Sequence, residues 1–412
     1  MTSDGPGFAY GSLFSAGLPA AAGRFSGMPR YNFAVGHNDP KQIPTDSLAQ
    51  AAADVIRRHG DSLAIYNLGQ GPLGFEPLRT FVASKLREKR GIACSPDDVL
   101  ITSGSLQGID LVNRLLVRSG DTVLVEEVSY SGTLSRLRGL GARLVGVPLD
   151  EGGIRIDALE AILQDLGSKA IQPKFLYTIP TIQNPTGTIL GLERRHQLLR
   201  LMRTFGVPLF EDECYADIVW AREAPPALYG LDPTQVIHIG SFSKSLAPAL
   251  RLGYVVASWD VLSRMVALKS DGGTGALDQM VAAEYFGSQF DAHIRRLSDA
   301  LESKLDTVLD VLHEQFGTTV EIRRPDGGLY VWVRFPDGID VRSLAPAAAA
   351  AGVAFNPGTD WAVAPDSAKN WMRLCFALPT HSEIREGIAE LARVCFEETG
   401  IPTRSGNVVR SA

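Results

Sequence analysis

The chain has 412 residues, 45% of them hydrophobic and 21% charged, with a formal net charge of −6. That length and composition suit an ordinary globular protein of two or three domains, and the acid excess excludes an electrostatic binder of nucleic acid. Four scattered cysteines (Cys94, Cys214, Cys375 and Cys395) show neither CxxC nor metal-ligand spacing, which predicts a reducing, cytoplasmic setting with no metal and no disulfide framework.

Residues 1–30 are rich in Gly, Ala, Ser and Pro and read as a flexible arm. No cationic start precedes a compact apolar block, so no secretory signal is expected, and no apolar run approaches the length of a membrane span. From Val99 onwards short apolar runs recur: Val99 to Ile101, Thr122 to Val125, Arg143 to Val147, Phe175 to Thr178, Val207 to Phe210, Val236 to Ile239 and Tyr254 to Ala257. Amphipathic stretches lie between them, such as Leu192 to Phe205 with Leu192, Leu198, Leu199 and Met202 on one face. Strands alternating with helices predict a mostly parallel sheet covered on both faces.

After about residue 275 the pattern changes. Ala292 to Phe316 places Ile294, Leu297, Leu301, Leu305, Val308 and Leu312 at helical spacing. Strand-like Gly328 to Val333 and Met372 to Phe376 follow, then a helix from His381 to Glu398 and a polar tail. The expected organisation is an arm (1–30), a segment serving the smaller domain (31–64), a large domain (65–290), a small α+β domain (291–400) and a frayed tail (401–412).

Five segments carry candidate chemistry. Gly240 to Tyr254 sets Lys244 among serines and small residues, with Ser241 before it and Arg251 after it. A lysine with no nearby carboxylate can be desolvated towards nucleophilicity, and Ser241 and Arg251 are donors suited to a phosphate. Alone, a serine-flanked lysine is ordinarily a loop residue. Ile101 to Gly108 follows a strand and opens a helix, offering backbone N–H groups to an anion; the plainer reading is a capped helix start. Asn184-Pro185-Thr186-Gly187 is a turn signal in its own right. Glu211-Asp212-Glu213 ends a strand, where open α/β sheets bind ligands, although an acidic cluster is ordinarily a solvated face. Arg373 sits in an apolar strand, where either a planar anion or an edge-strand salt bridge would explain it.

Together these segments, in this order from about Phe33 to Phe376, resemble the fold type I pyridoxal 5′-phosphate (PLP) enzymes, class I/II aminotransferase group. The resemblance implies an α/β fold: a large domain with a mostly parallel mixed sheet between helices, plus a smaller α+β domain. It implies that Lys244 carries PLP as a Schiff base and then acts as general base. The cofactor phosphate falls to Gly104, Ser105, the Leu106 amide, Ser241, Ser243 and Arg251. Tyr130 stacks on the ring, Asp212 meets the pyridine nitrogen, and Asn184 and Tyr215 meet the phenolic oxygen. Arg373 grips the substrate carboxylate, with the Gly36 backbone beside it. Tyr66 reaches a partner subunit's phosphate in a homodimer, although the segment from Tyr66 to Gly74 is a few residues longer than is usual.

The implied activity is ping-pong transfer of an amino group between an L-amino acid and a 2-oxo acid. A PLP lyase, decarboxylase or oxidase would share these motifs. A regulator's aminotransferase-like domain would need a basic helix-turn-helix upstream, whereas only the Gly/Ala/Pro-rich arm precedes the first motif. Arg30, His37, Asn38 and Asp39 are expected to make the side-chain pocket polar, with Asp39 either facing a cationic substrate or solvated in a loop. The Arg-over-Lys, Ala-rich composition resembles that of actinobacterial proteins, whose relatives include enzymes of antibiotic pathways acting on arginine-derived amino acids such as enduracididine.

Overall fold

The computed structural model describes residues 10–14, 18, 21–25, 27–220 and 223–402. Half of the expected arm and most of the expected tail lie outside these residues. Every one of the apolar runs from Val99 to Ala257 contributes a strand to a single seven-stranded sheet. In chain order these are β1 (Val99–Thr102), β2 (Thr122–Glu126), β3 (Arg143–Val147), β4 (Leu176–Thr178), β5 (Leu209–Asp212), β6 (Val236–Ser241) and β7 (Gly253–Val256). Across the sheet the order is β1-β7-β6-β5-β4-β2-β3. β7 is antiparallel to both of its neighbours and every other pairing is parallel.

The strands read as unbroken apolar runs because both sheet faces are covered. Alternate side chains feed two separate cores. Val99, Ile101 and Leu124 enter one, while Leu100, Val123 and Val125 enter the other. Only the edge strand β3 is mostly half-exposed. The parallel strands end at one edge of the sheet, so the residues at or just beyond β2, β4, β5 and β6 converge there. This is where open α/β sheets place ligands.

The smaller domain holds a four-stranded antiparallel sheet ordered Glu321–Ile322, Tyr330–Arg334, Trp371–Cys375, Asn356–Pro357. The helix His381–Thr399 packs with it over a third core. Within the segment 31–64, Tyr31–Asn32 pairs in parallel with Val353–Ala354 and Phe33 joins the small-domain core. Ala51 and Val55, in contrast, pack into the large core. One helix, Ala276–Phe316, ties the two domains together over 41 residues. Its Met280 to Phe290 face beds in the large core and its Leu297 to Phe316 face in the small one. The helix therefore starts at Ala276 rather than Ala292. It runs without a break through Gly287 and Ser288, held by the packing of Met280 to Phe290 on one side and of Leu297 to Phe316 on the other.

Candidate active site

The residues singled out along the chain meet in one cavity of ≈ 410 Å³. Lys244 stands on the turn after β6. Asn38 Nδ2 pins that turn by donating to the carbonyls of Lys244 (3.2 Å) and Leu246 (3.1 Å), and His293 Nε2 lies 2.8 Å from the Ser245 carbonyl. Lys244 Nζ donates to the Gly36 carbonyl at 2.7 Å, and a Cβ on Gly36 would stand 3.0 Å from Nζ. A side chain there would press on the lysine's tip, which would have to give by a few tenths of an ångström. Burial, with the Arg373 and Arg251 charges, holds the Lys244 ammonium below the usual lysine range.

An anion cradle lies to one side of Lys244. The helix Ser105–Leu116 opens there with Gly104 as its N-cap, at φ 78°. Arg251, itself in the left-handed region at φ 54°, donates to the carbonyls of Pro248 (3.1 Å) and Ser103 (3.3 Å) and to Ser243 Oγ (3.5 Å). A Cβ on Gly104 would collide with the Arg251 guanidinium, and one on Gly253 would stand 2.6 Å from the Ser105 nitrogen. Two glycines thus keep the guanidinium, the helix N-terminus and the Ser105, Ser241 and Ser243 hydroxyls facing one space.

Asp212, at the end of β5, is buried in the cavity wall. Tyr177 Oη donates to its Oδ2 at 2.7 Å and the Cys214 amide to its Oδ1 at 3.1 Å. Burial pushes the Asp212 carboxyl up, and the bonds from Cys214 and Tyr177 pull it back. Glu211 and Glu213 on either side are also buried rather than solvated. Glu211 faces His238 at 2.9 Å and Glu213 faces Arg90 at 2.7 Å. Buried partners from distant helices and strands convert an apparent surface acid cluster into an internal ion network.

A second polar chain crosses the cavity. Arg373 Nη1 donates to Asn184 Oδ1 (3.0 Å), and Asn184 Nδ2 donates to Tyr215 Oη (3.2 Å). Arg373 Nη2 donates to the Ala34 carbonyl at 2.9 Å, and its guanidinium lies 4.0 Å from the centre of the Trp361 ring. Its Nε is buried and has no partner among the described residues. Arg373 is therefore a cavity-facing cation rather than half of an edge-strand salt bridge. Tyr130 lines the same cavity with its ring 6.0 Å from that of Trp361. Burial raises the Tyr215 hydroxyl well above the usual phenol range, so it stays protonated.

Of the expected residues only Tyr66 stands apart, 86% exposed on the surface of this chain. The segment after it is anchored: Ile101 N donates to the Leu73 carbonyl at 2.8 Å, and Phe75 N to Gln279 Oε1 at 2.8 Å. The polar pocket expected near the arm is mostly absent. His37 faces the cavity, but Asn38 is spent on the Lys244 turn and Arg30 reaches Glu386. Asp39 is neither solvated nor facing substrate, being buried with Lys304 Nζ at 2.7 Å. Sequence reasoning missed Tyr177, Cys214, Asn356 and Trp361. Only Tyr177 carried a signal, as a polar-tipped residue in a fully buried strand.

A sheet of this topology, with a desolvated lysine, an anion cradle and a buried carboxylate at its strand ends, defines the fold type I class of PLP enzymes. The chain matches the family model described as aminotransferase class I and II over residues 31–391. It is 33% identical to aromatic-amino-acid aminotransferase 1 of Thermococcus litoralis over 363 residues, which cover 87% of this chain and 86% of that protein. It is 34% identical to 2-aminoadipate transaminase of Thermus thermophilus over 368 residues, covering 88% of this chain and 89% of that one. Its structure superposes with a TM-score of 0.83 on the α-aminoadipate aminotransferase of Thermus thermophilus solved with N-(5′-phosphopyridoxyl)-L-leucine, at 33% identity and with 90% and 93% of the two chains covered. The chain belongs to the class I and II aminotransferase family and is a PLP-dependent transaminase. Among the described residues, no helix is long and apolar enough to cross a membrane.

Proposed function

We propose that the protein moves the amino group of an L-amino acid to a 2-oxo acid in two half-reactions at this cavity, with Lys244 as the amine that holds the cofactor and moves the proton. The observation that carries the reading is the Lys244 amine, held below its usual pKa and sharing one cavity with Asp212, Arg251 and Arg373. The donor set fits PLP group by group. Arg251, the N–H groups at Ser105 and Leu106, and the Ser105, Ser241 and Ser243 hydroxyls would hold the phosphate, in the space that Gly104 keeps clear. Tyr130 would lie against the ring, Asp212 at the pyridine nitrogen, and Asn184 and Tyr215 at the phenolic oxygen. When bound, the cofactor supplies an electron sink for the charge developing at the substrate Cα.

The chain's own residues do the rest. Burial raises the Asp212 carboxyl, while the bonds donated by Tyr177 and Cys214 favour its anionic form, the form that would face a ring N–H⁺. Arg373 has free N–H directions for an α-carboxylate, and its bonds to Asn184 and Ala34 hold the guanidinium plane still. An unprotonated Lys244 amine takes the Cα proton and returns it, a positioned base contributing on the order of 10²–10⁴-fold. The same residues serve both half-reactions, which gives ping-pong kinetics.

The substrate reading is a neutral side chain. Among the described residues, Asp212 is the one carboxylate lining the cavity, and it is engaged. A guanidine-bearing amino acid of the enduracididine type therefore finds no counter-ion among them. His37 is kept neutral by burial and by the Lys244 charge. Tyr66, exposed and not part of this chain's cavity lining, is assigned to a second copy's cradle in a homodimer. Half-reactions of the holoenzyme with aromatic, aliphatic, acidic and basic amino acids test the proposal, scored by the oxo acid released. Neutral substrates should turn over fastest, and release of carbon dioxide or ammonia without oxo acid would refute transamination at this site.

A further inference from the structure

Two buried polar side chains behind the cavity have no part in the chemistry described above, yet they join the segments that build it. Glu126 ends β2 and Gln183 immediately precedes Asn184; both are buried, and neither lines the cavity. Gln183 Nε2 donates to Glu126 Oε2 at 2.9 Å and to the Val128 carbonyl at 2.8 Å. Gln183 Oε1 accepts from the Thr186 amide at 2.9 Å and from Thr186 Oγ1 at 2.8 Å. Both N–H groups and both lone pairs of the Gln183 amide are thus used. The Thr186 amide can only donate and the Val128 carbonyl can only accept, so the side chain has one direction open to it.

That direction requires an acceptor at Glu126, whose second oxygen is under the same demand. Glu126 Oε1 accepts from Thr178 Oγ1 at 2.7 Å and from the Ile179 amide at 3.2 Å. These bonds hold the carboxylate against burial and the Asp212 charge, which both oppose its ionisation; a buried charge without such partners is costly. The contacts connect the end of β2, the end of β4 and the turn from Gln183 to Gly187, where the Gly187 amide donates to the Gln183 carbonyl at 2.6 Å. From Val128 the connection runs on, since Val128 bridges to Ala362 and the Ser129 amide donates to the Trp361 carbonyl at 2.8 Å. Tyr130, Asn184 and Trp361 line the cavity from three distant parts of the chain, and one buried pair ties all three segments together.

We propose that Glu126 and Gln183 are positioning residues of the site: the carboxylate fixes the Gln183 amide, and the amide fixes the turn that presents Asn184 to the cofactor's phenolic oxygen and to Arg373. Asn184 needs a fixed mount because it serves two partners at once, accepting from Arg373 Nη1 at 3.0 Å and donating to Tyr215 Oη at 3.2 Å. The inference rests on the transamination reading for the roles of Asn184 and Arg373.

The test compares two holoenzyme variants with wild type, with circular dichroism and the unfolding midpoint reporting the fold. Glu126→Gln puts an N–H₂ group where Gln183 needs an acceptor, so the Gln183 amide must turn over and confront the Thr186 N–H. Gln183→Met keeps the length of the side chain and removes all four of its bonds, leaving the Glu126 carboxyl in place. A donor at the phenolic oxygen stabilises its charge and weakens its hold on the proton of the Lys244 nitrogen. Both variants should therefore raise the pH midpoint of the cofactor's visible absorbance, by roughly 0.5 pH unit or more. KM for an amino acid should rise several-fold through the loosened Arg373, with KM for an amine lacking a carboxylate unchanged. Should one variant fail to fold, the other carries the test. If a folded variant keeps the wild-type absorbance midpoint and the wild-type ratio of the two KM values, the pair is merely structural and the proposal is overturned. The absorbance readout holds whichever reaction follows, so failure of the transamination reading, seen as no oxo acid from wild type, is distinguishable from failure here.

Discussion

Arg373→Lys is the substitution whose effect can be worked most closely from the geometry. A guanidinium has five N–H donors in a rigid fork. Two are committed, one to Asn184 Oδ1 at 3.0 Å and one to the Ala34 carbonyl at 2.9 Å. Three are left, including the unpartnered Nε–H, enough for a bidentate grip on a carboxylate. An ammonium has three donors on one atom, so a lysine that kept both protein contacts would have one N–H for substrate. Losing one charge-assisted bond costs about 1.5–3 kcal/mol, or roughly a 10- to 150-fold fall in kcat/KM. Single-turnover half-reactions, followed by cofactor absorbance, measure this directly. An amine lacking a carboxylate should react with variant and wild type alike. If folded Arg373→Lys handles amino acids at the wild-type kcat/KM, Arg373 is not the carboxylate clamp.

Tyr177→Phe removes the 2.7 Å bond to Asp212 Oδ2, leaving a buried carboxylate one donor short. The apoenzyme should bind PLP roughly 10-fold or more weakly, since a bond to a charged group is worth about 1.5 kcal/mol or more; unchanged affinity in a cofactor titration would argue against the ring-nitrogen role. Burial pushes Glu126 up from 4.5 to about 7, despite bonds from Gln183, Thr178 and the Ile179 amide. A carboxyl with a raised folded pKa stabilises fully below its unfolded value, and that stability is lost as pH rises through the folded value. Stability should thus fall by roughly 3 kcal/mol between about pH 4.5 and pH 7 on this group's account. Denaturant unfolding across that window should show the decline in wild type and a flatter profile in Glu126→Gln. Asp39→Asn strips the buried partner from Lys304, and about 3–5 kcal/mol of stability should go with it, read as a lower unfolding midpoint.

Much of the fold was legible because a parallel sheet buried on both faces leaves a plain trace: unbroken apolar runs such as Val123 to Val125, with helices between. The site was legible for a related reason. Parallel strands deliver their last residues to one edge, so Asp212 and the turn carrying Lys244 had to converge there. Contacts made by residues with no local signature were not legible. Trp361 comes from a short turn far along the chain, yet it packs on both Tyr130 and Arg373. Burial of Glu211 and Glu213 depends on His238, Arg90 and Arg195, which only the folded chain brings near. Asp39 could be read as solvated because Lys304 lies on the long helix, far along the chain. That helix, expected over Ala292 to Phe316, extends sixteen residues further back, to Ala276.

The central claim is that the Lys244 amine carries the cofactor. Borohydride reduction of the PLP-loaded protein, followed by proteolysis and mass spectrometry, tests it most directly. The account predicts a single phosphopyridoxyl label, on the peptide containing Lys244, and its loss in Lys244→Ala. A label on any other lysine, or an undiminished label in the variant, would contradict it.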